Sequence, residues 1–184
     1  MYKLVEIEEW IGILPGAYEE NITNIVLEEL RNRLEGLIDP ELGVILAVTE
    51  ASIVSDGIIL PVPGDPRIFY RVRYKVLSFK PILLEVVKGI VREARQPGIF
   101  ISLGPIDGFI HKSQIMDEPV EYLPERRGFR GVHSGRVVEI GDHVRARIVQ
   151  ISKPTRRTSG LRVALTMRQP YLGKEQWVLS QLKT

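Results

Sequence analysis

Between Ile82 and Thr166, glycine or proline interrupts the chain at intervals of about a dozen residues or fewer, and the pieces between are rich in Val, Ile and Phe. A helix needs roughly 10–12 uninterrupted residues, so this spacing favours short strands joined by tight turns. Ile82–Ala94 reads as a long strand with a bend or bulge at Gly89, followed by Gly98–Leu103, a turn at Gly104-Pro105, and Asp107–His111. Ser113–Met116 reads as one helical turn. The stretch from Glu118 to Gly135, with its Gly128-Phe129-Arg130-Gly131, reads as irregular loop. Val137–Ile140, Val144–Ile151 and Leu161–Thr166 supply the remaining strands, and Lys174–Leu182 a short helix with Trp177 and Leu182 available for docking. Short strands with glycine turns suit a closed OB-fold barrel.

The first 80 residues have another rhythm. Tyr2–Glu9 leans to strand, and Leu14-Pro15-Gly16 breaks it. From about Glu19 to Glu35, Ile22, Ile25, Val26, Leu30 and Leu34 recur at helical spacing, with Gly36 placed to end the helix in a left-handed conformation. Gly43–Ser55 and Ile58–Leu60 read as strands around an Asp56-Gly57 turn. Pro61-Val62-Pro63-Gly64-Asp65-Pro66 admits neither helix nor central strand, so it must be a stiff exposed loop. Arg67–Phe79 alternates cleanly: Ile68, Tyr70, Val72, Tyr74 and Val76 face one way, Arg71, Arg73 and Lys75 the other. The expected architecture is an α+β domain over 1–80, a helix on a small antiparallel sheet, and an all-β OB-fold barrel over 81–184, joined at Lys80-Pro81.

Charge divides the same way. Residues 1–80 carry 8 Lys and Arg against 13 Asp and Glu, a net of −5; residues 81–184 carry 17 against 10, a net of +7. The basic half suits nucleic acid, and equally a surface that is simply well solvated; charge alone leaves both open. With no cysteine, disulfides and thiolate metal sites are excluded. No run approaches the ~18 apolar residues of a membrane span, and MYKLVEIEEW is not a secretory signal, so a cytoplasmic protein without membrane contact is expected. The carboxylates Asp107, Asp117 and Asp142 each sit at a turn, and His111, His133 and His143 lack ligand spacing. No Walker loop is present. The sequence therefore offers no catalytic residue, metal ligand or cofactor.

Val87-Lys88-Gly89-Ile90-Val91, Gly98-Ile99-Phe100-Ile101, Gly108-Phe109-Ile110-His111-Lys112-Ser113-Gln114-Ile115, Gly141-Asp142-His143-Val144 and Leu165-Thr166 resemble, in order and spacing, the S-one type RNA-binding domain over about residues 82–168. Single-stranded RNA is held by stacking bases on flat side chains while cations follow the phosphates. Phe100 and His111 resemble the family's stacking residues and Arg162 its phosphate-contacting arginine; Lys112, Arg145, Arg147 and Arg156 widen the basic surface. Taken singly, Phe100 would more often be core than ligand-facing, and His111 more often a satisfied structural histidine. Pro97 and Ser152 stand where the family often has an aromatic and an aspartate. A lost stacked base costs ~1–3 kcal/mol, so weak, sequence-tolerant binding is expected.

The N-terminal MYKLVEIE, then LEGLIDPELGVILAV, VLSFKPILLEVVKGIV and ALTMRQPYLGKEQW resemble the E-prime family of archaeal RNA polymerase stalk proteins nearly end to end. That resemblance implies a non-catalytic stalk subunit of DNA-directed RNA polymerase, paired with the polymerase's F-type subunit, docked on core polymerase subunits, meeting nascent single-stranded RNA and transcription factor E, and serving initiation and termination. It also implies that the tip, with Gly36, Pro63, Gly64 and Asp65, contacts the core; without it, the loop reads as a plain rigid hairpin. An 80-residue domain buries only a modest share of its surface and would gain from a partner over its apolar sheet face or helix. The rival reading is an RNA exosome cap subunit. Such proteins usually add a zinc ribbon, excluded here by the lack of cysteine, or a KH domain, for which Gly128–Gly131 lacks flanking helices.

Overall fold

The computed structural model describes residues 1–15, 21–61, 63–152 and 161–181. The breaker Gly16, the expected helix start at Glu19, the basic loop at Arg156 and the docking residue Leu182 lie outside them. The chain forms two compact units, Met1–Lys80 and Pro81–Thr184.

In the first unit, β1 (Tyr2–Ile13) precedes α1 (Ile22–Leu34), β2 (Ile38–Asp39), β3 (Gly43–Ile53), β4 (Ile58–Ile59) and β5 (Ile68–Phe79). The antiparallel sheet runs β1-β5-β3-β2, with β4 also on β5. β1 continues past the Glu9 limit read from its pattern because it pairs with β5 along its whole length, from Tyr2 against Phe79 to Ile13 against Ile68. α1 starts at Ile22 because the Asn21 side chain accepts from the Thr23 N–H at 3.1 Å and caps it. Val26 and Leu30, both fully buried, press on Ile45, Val48, Val72, Tyr74 and Val76. Each contributes roughly 1.5–3 kcal/mol of apolar burial.

The opposite face of this sheet mixes charge with exposed apolar side chains, since Tyr2, Leu4 and Trp10 alternate onto it with Glu6 and Glu8. Arg71 and Arg73 pair with Glu8, and Lys75 Nζ lies 2.9 Å from Glu50.

The second unit contains β6 (Val86–Arg95), β7 (Gly98–Ser102), β8 (Asp107–His111), a 3-10 turn (Lys112–Gln114), β9 (Val120–Leu123), β10 (Gly128–Gly131), β11 (Val137–Glu139), β12 (His143–Ser152), β13 (Arg162–Thr166), β14 (Gly173–Lys174) and α2 (Glu175–Gln181). The order β13-β8-β7-β6-β12 closes through β12–β13 pairing, giving a five-stranded barrel with β14 added on β12. Ile99, Ile101, Ile110, Val144, Ala146, Ile148, Val163 and Leu165 fill it.

Four expectations need correction. Ile82–Glu85 is a turn, not strand: Leu84 adopts φ 66°, and its N–H donates to the Ile148 carbonyl at 2.8 Å. Gly89 pairs regularly with Val144, and the irregularity of β6 lies between Val91 and Glu93. The stretch from Glu118 to Gly135 is not irregular, since β9, β10 and β11 form a separate three-stranded sheet, and Gly128–Gly131 is its central strand. Val137–Ile140 consequently belongs to that insert and not to the barrel. Phe129 and Val138, fully buried, are the apolar pair that orders it; a tally of turn residues hides two such isolated core positions.

Candidate nucleic-acid interface

Strand pairing sets Phe100 of β7 directly against Phe109 of β8, with ring centroids 5.0 Å apart, and His111 lies two residues along β8 with its ring 6.5 Å from Phe109. Side chains alternate along a strand, so the buried Ile99, Ile101 and Ile110 point into the barrel while these three rings share its outer face. Phe100 and Phe109 are only partly buried. Gly98 makes room for them: a Cβ there would overlap the Ile110 carbonyl oxygen and meet the Phe109 ring at 2.9 Å.

The two phenylalanines lie in a groove of about 1260 Å³ that also takes in Arg92, Arg95, Arg127 and Arg162, against the carboxylates Glu93 and Asp107. Four arginines facing two carboxylates leave it cationic. Arg95 pairs with Glu93 at 2.6 Å and Arg92 with Asp107 at 3.6 Å. Pro97 and Ser152, the two departures from the family pattern, line the same groove.

The expected RNA residues separate into groups. Phe100 and Arg162 meet in the groove. His111 sits beside it, exposed, with Nδ1 accepting from the Ser113 N–H at 3.3 Å and 2.8 Å from the Ser113 hydroxyl, so it also caps the 3-10 turn. Lys112 lies on that turn against another depression lined by Met116 and Asp117. Arg145 and Arg147 do not line the groove: they stand on the part of β12 paired with β6, and Arg147 Nε is buried without a partner among the described residues. Sequence reading omitted Phe109 although it lies inside the motif, because only its register with Phe100 reveals that the two rings adjoin. It also omitted Tyr122 and Arg127, which reach the groove from the insert.

Gly36 (φ 83°) and Gly64 (φ 82°) take left-handed conformations and have open space around them, but the structure does not bring them together: Gly36 bonds to Ile45, which lies opposite Ser78 near the end of β5, whereas Gly64 belongs to the loop that leads into Ile68 at the start of β5. Gly36 does not itself cap α1: the extended Glu35 does, its N–H donating to the Arg31 carbonyl, while Gly36 occupies the turn closed by the Leu37 N–H donating to the Leu34 carbonyl at 3.1 Å and donates its own N–H to the Ile45 carbonyl at 2.9 Å. Pro63 is exposed. Asp65 is engaged internally, accepting from Arg67 N, Nε and Nη2 at 3.1, 2.8 and 2.6 Å, and the Arg67 guanidinium holds its carboxyl below the usual range.

A barrel of this topology with an aromatic, cationic groove defines the class of the second unit. Residues 80–162 match the S1 RNA binding domain, and residues 8–66 match the SHS2 domain found in N terminus of Rpb7p/Rpc25p/MJ0397. The chain is 38% identical to DNA-directed RNA polymerase subunit Rpo7 of Saccharolobus solfataricus and 32% identical to that of Sulfolobus acidocaldarius, covering 100% of both chains in the first case and 99% and 97% in the second. It is 25% identical to DNA-directed RNA polymerase II subunit rpb7 of Schizosaccharomyces pombe over 92% of this chain and 96% of that one. The chain belongs to the Rpo7 family of DNA-directed RNA polymerase subunits, a non-catalytic class.

Proposed function

We propose that the chain is the stalk subunit of an archaeal DNA-directed RNA polymerase, held on the core subunits through its first unit and presenting its barrel to nascent single-stranded RNA. The observation that carries this reading is the end-to-end likeness to Rpo7 at 38% identity, joined to an S1 barrel whose groove pairs Phe100 with Phe109 beside Arg162. Bases stacking on the two rings while the arginine meets a phosphate is the chemistry single strands require. Within the groove the carboxylates Glu93 and Asp107 have arginine partners.

The polymerase's small F-type subunit is the proposed constant partner. Ile82, Leu83 and Leu84 leave 47, 53 and 64% of their surface exposed in one turn, an apolar run that a tightly bound chain would cover. In this scheme Pro63 and Gly64 contact the core, while Asp65, already bound to Arg67, stiffens the loop that does so; Gly36, at the opposite end of β5, is not part of that contact. A pre-ordered loop loses less entropy on docking. Transcription factor E is a further proposed partner, the roles are initiation and termination, and the setting is the cytoplasm; no helix among the described residues is long and apolar enough to cross a membrane.

The deciding experiment is affinity purification of the tagged chain from its host, followed by mass spectrometry. Co-purification of the large polymerase subunits and the F-type subunit is expected. Recovery of exosome or ribosomal proteins in their place would refute the assignment.

A further inference from the structure

The three-stranded insert reaches the aromatic groove through its first hairpin. Tyr122 on β9 packs its ring 5.2 Å from the buried Phe129 and donates its hydroxyl to the Ala94 carbonyl of β6 at 3.2 Å. That bond fastens the insert to the barrel wall. The hairpin joining β9 to β10 spans Pro124 to Arg127, closed by the Arg127 N–H donating to the Pro124 carbonyl at 3.2 Å. Tyr122, Pro124 and Arg127 all line the groove that contains Phe100, Phe109 and Arg162.

Arg127 is unusual in two independent ways. Its φ is 46°, a left-handed conformation in which glycine or asparagine is the ordinary occupant and an arginine is disfavoured. It is also exposed and, like Arg162, forms no ion pair among the described residues, whereas Arg92 and Arg95 are neutralised by Asp107 and Glu93. A strained turn position that keeps an unpaired cation in a groove fits the pattern of strain retained for function.

We infer that the insert hairpin is a second wall of the RNA groove, with Arg127 contacting a backbone phosphate from the insert while Arg162 contacts another from the barrel, so that a single strand lies between them with bases on Phe100 and Phe109. The inference rests on the RNA-binding reading of the barrel and adds a part outside it. It also supplies a ligand contact where the motif, with Pro97 and Ser152, is depleted.

The test is fluorescence anisotropy of a labelled oligouridylate with the full chain across a salt series, using variants matched for backbone strain. Arg127→Gln and Arg162→Ala should each weaken binding roughly 5- to 10-fold at about 50 mM salt and lower the log–log salt slope by about 0.7, the value for one phosphate on a single strand. Arg127→Lys should restore most of both. Arg127→Gly, which relieves the strain, should weaken binding while leaving the melting temperature unchanged or higher. If Phe100→Ala weakens binding but Arg127→Gln changes neither affinity nor slope, the hairpin is not a wall of the site and the barrel reading stands alone. If Phe100→Ala, Phe109→Ala and Arg162→Ala all leave affinity unchanged in folded protein, the RNA reading of the barrel falls and this inference with it.

Discussion

At the scale of single residues, Gly98 shows how closely the groove depends on what is missing. It opens β7 where the β8 backbone and the Phe109 ring both crowd in, so any Cβ collides with the Ile110 carbonyl oxygen. Gly98→Ala should destabilise the barrel by about 1–3 kcal/mol, the usual cost of overpacking, and displace Phe109 from Phe100. Urea unfolding would measure the first effect; near-ultraviolet circular dichroism of the aromatic pair would report the second. An alanine variant with wild-type stability would show that the strands can part there without loss. Tyr74 is the counterpart in the first unit. Burial pushes its phenol far above the ordinary range, and its hydroxyl donates to Glu9 at 2.8 Å, closing the core with a satisfied polar group.

At the scale of elements, the insert is organised by one carboxylate as much as by its apolar pair. Glu118 accepts from the N–H groups of His133 and Ser134, at 2.6 and 3.0 Å, and from the Ser134 hydroxyl, shaping the turn between β10 and β11. These bonds, chiefly from Ser134, hold its carboxyl below the ordinary value of 4.5. Because the folded-state pKa lies below the unfolded one, the stabilisation is complete above pH 4.5 and disappears as the pH falls through the folded value. Relative to intrinsic rates, protection of the His133 and Ser134 amides against hydrogen exchange should therefore fall in acid, ahead of the barrel strands. Glu118→Gln should show low protection there at every pH. Uniform protection in acid would place the control of this turn elsewhere.

At the scale of the whole molecule, the proposed function assigns the two units different work, so damage should separate cleanly. Deleting Pro63–Asp65 removes the exposed tip and the Asp65–Arg67 clamp, while the α1 face and the barrel groove keep their cores. The shortened chain should lose the core polymerase subunits on purification, retain the F-type subunit, and bind oligouridylate as before. Retention of the core subunits would assign core contact to another surface. Loss of the F-type subunit would show that the tip also serves the smaller partner.

Much of this was decided locally and is therefore visible in the sequence. The alternation of Ile68–Phe79, the helical spacing of Ile22 to Leu34 and the prolines around Gly64 are short-range constraints on backbone shape. The ordered series from Val87 to Thr166 likewise pointed to the barrel and to Phe100 and Arg162. What remained hidden depends on partners distant in the chain. β1 extends to Ile13 only because β5 is long enough to pair with it, and the insert is a sheet only because Phe129 and Val138 find a common interior. Phe109 joins the groove through its register with Phe100, and Arg127 joins Arg162, distant in sequence, through the Tyr122–Ala94 bond and the fold of the groove. Local stereochemistry and pattern determined the elements and the chemical kind of the surface. Which side chains share that surface was left to tertiary packing, because hydrogen-bond registers and burial are settled only when separate strands meet.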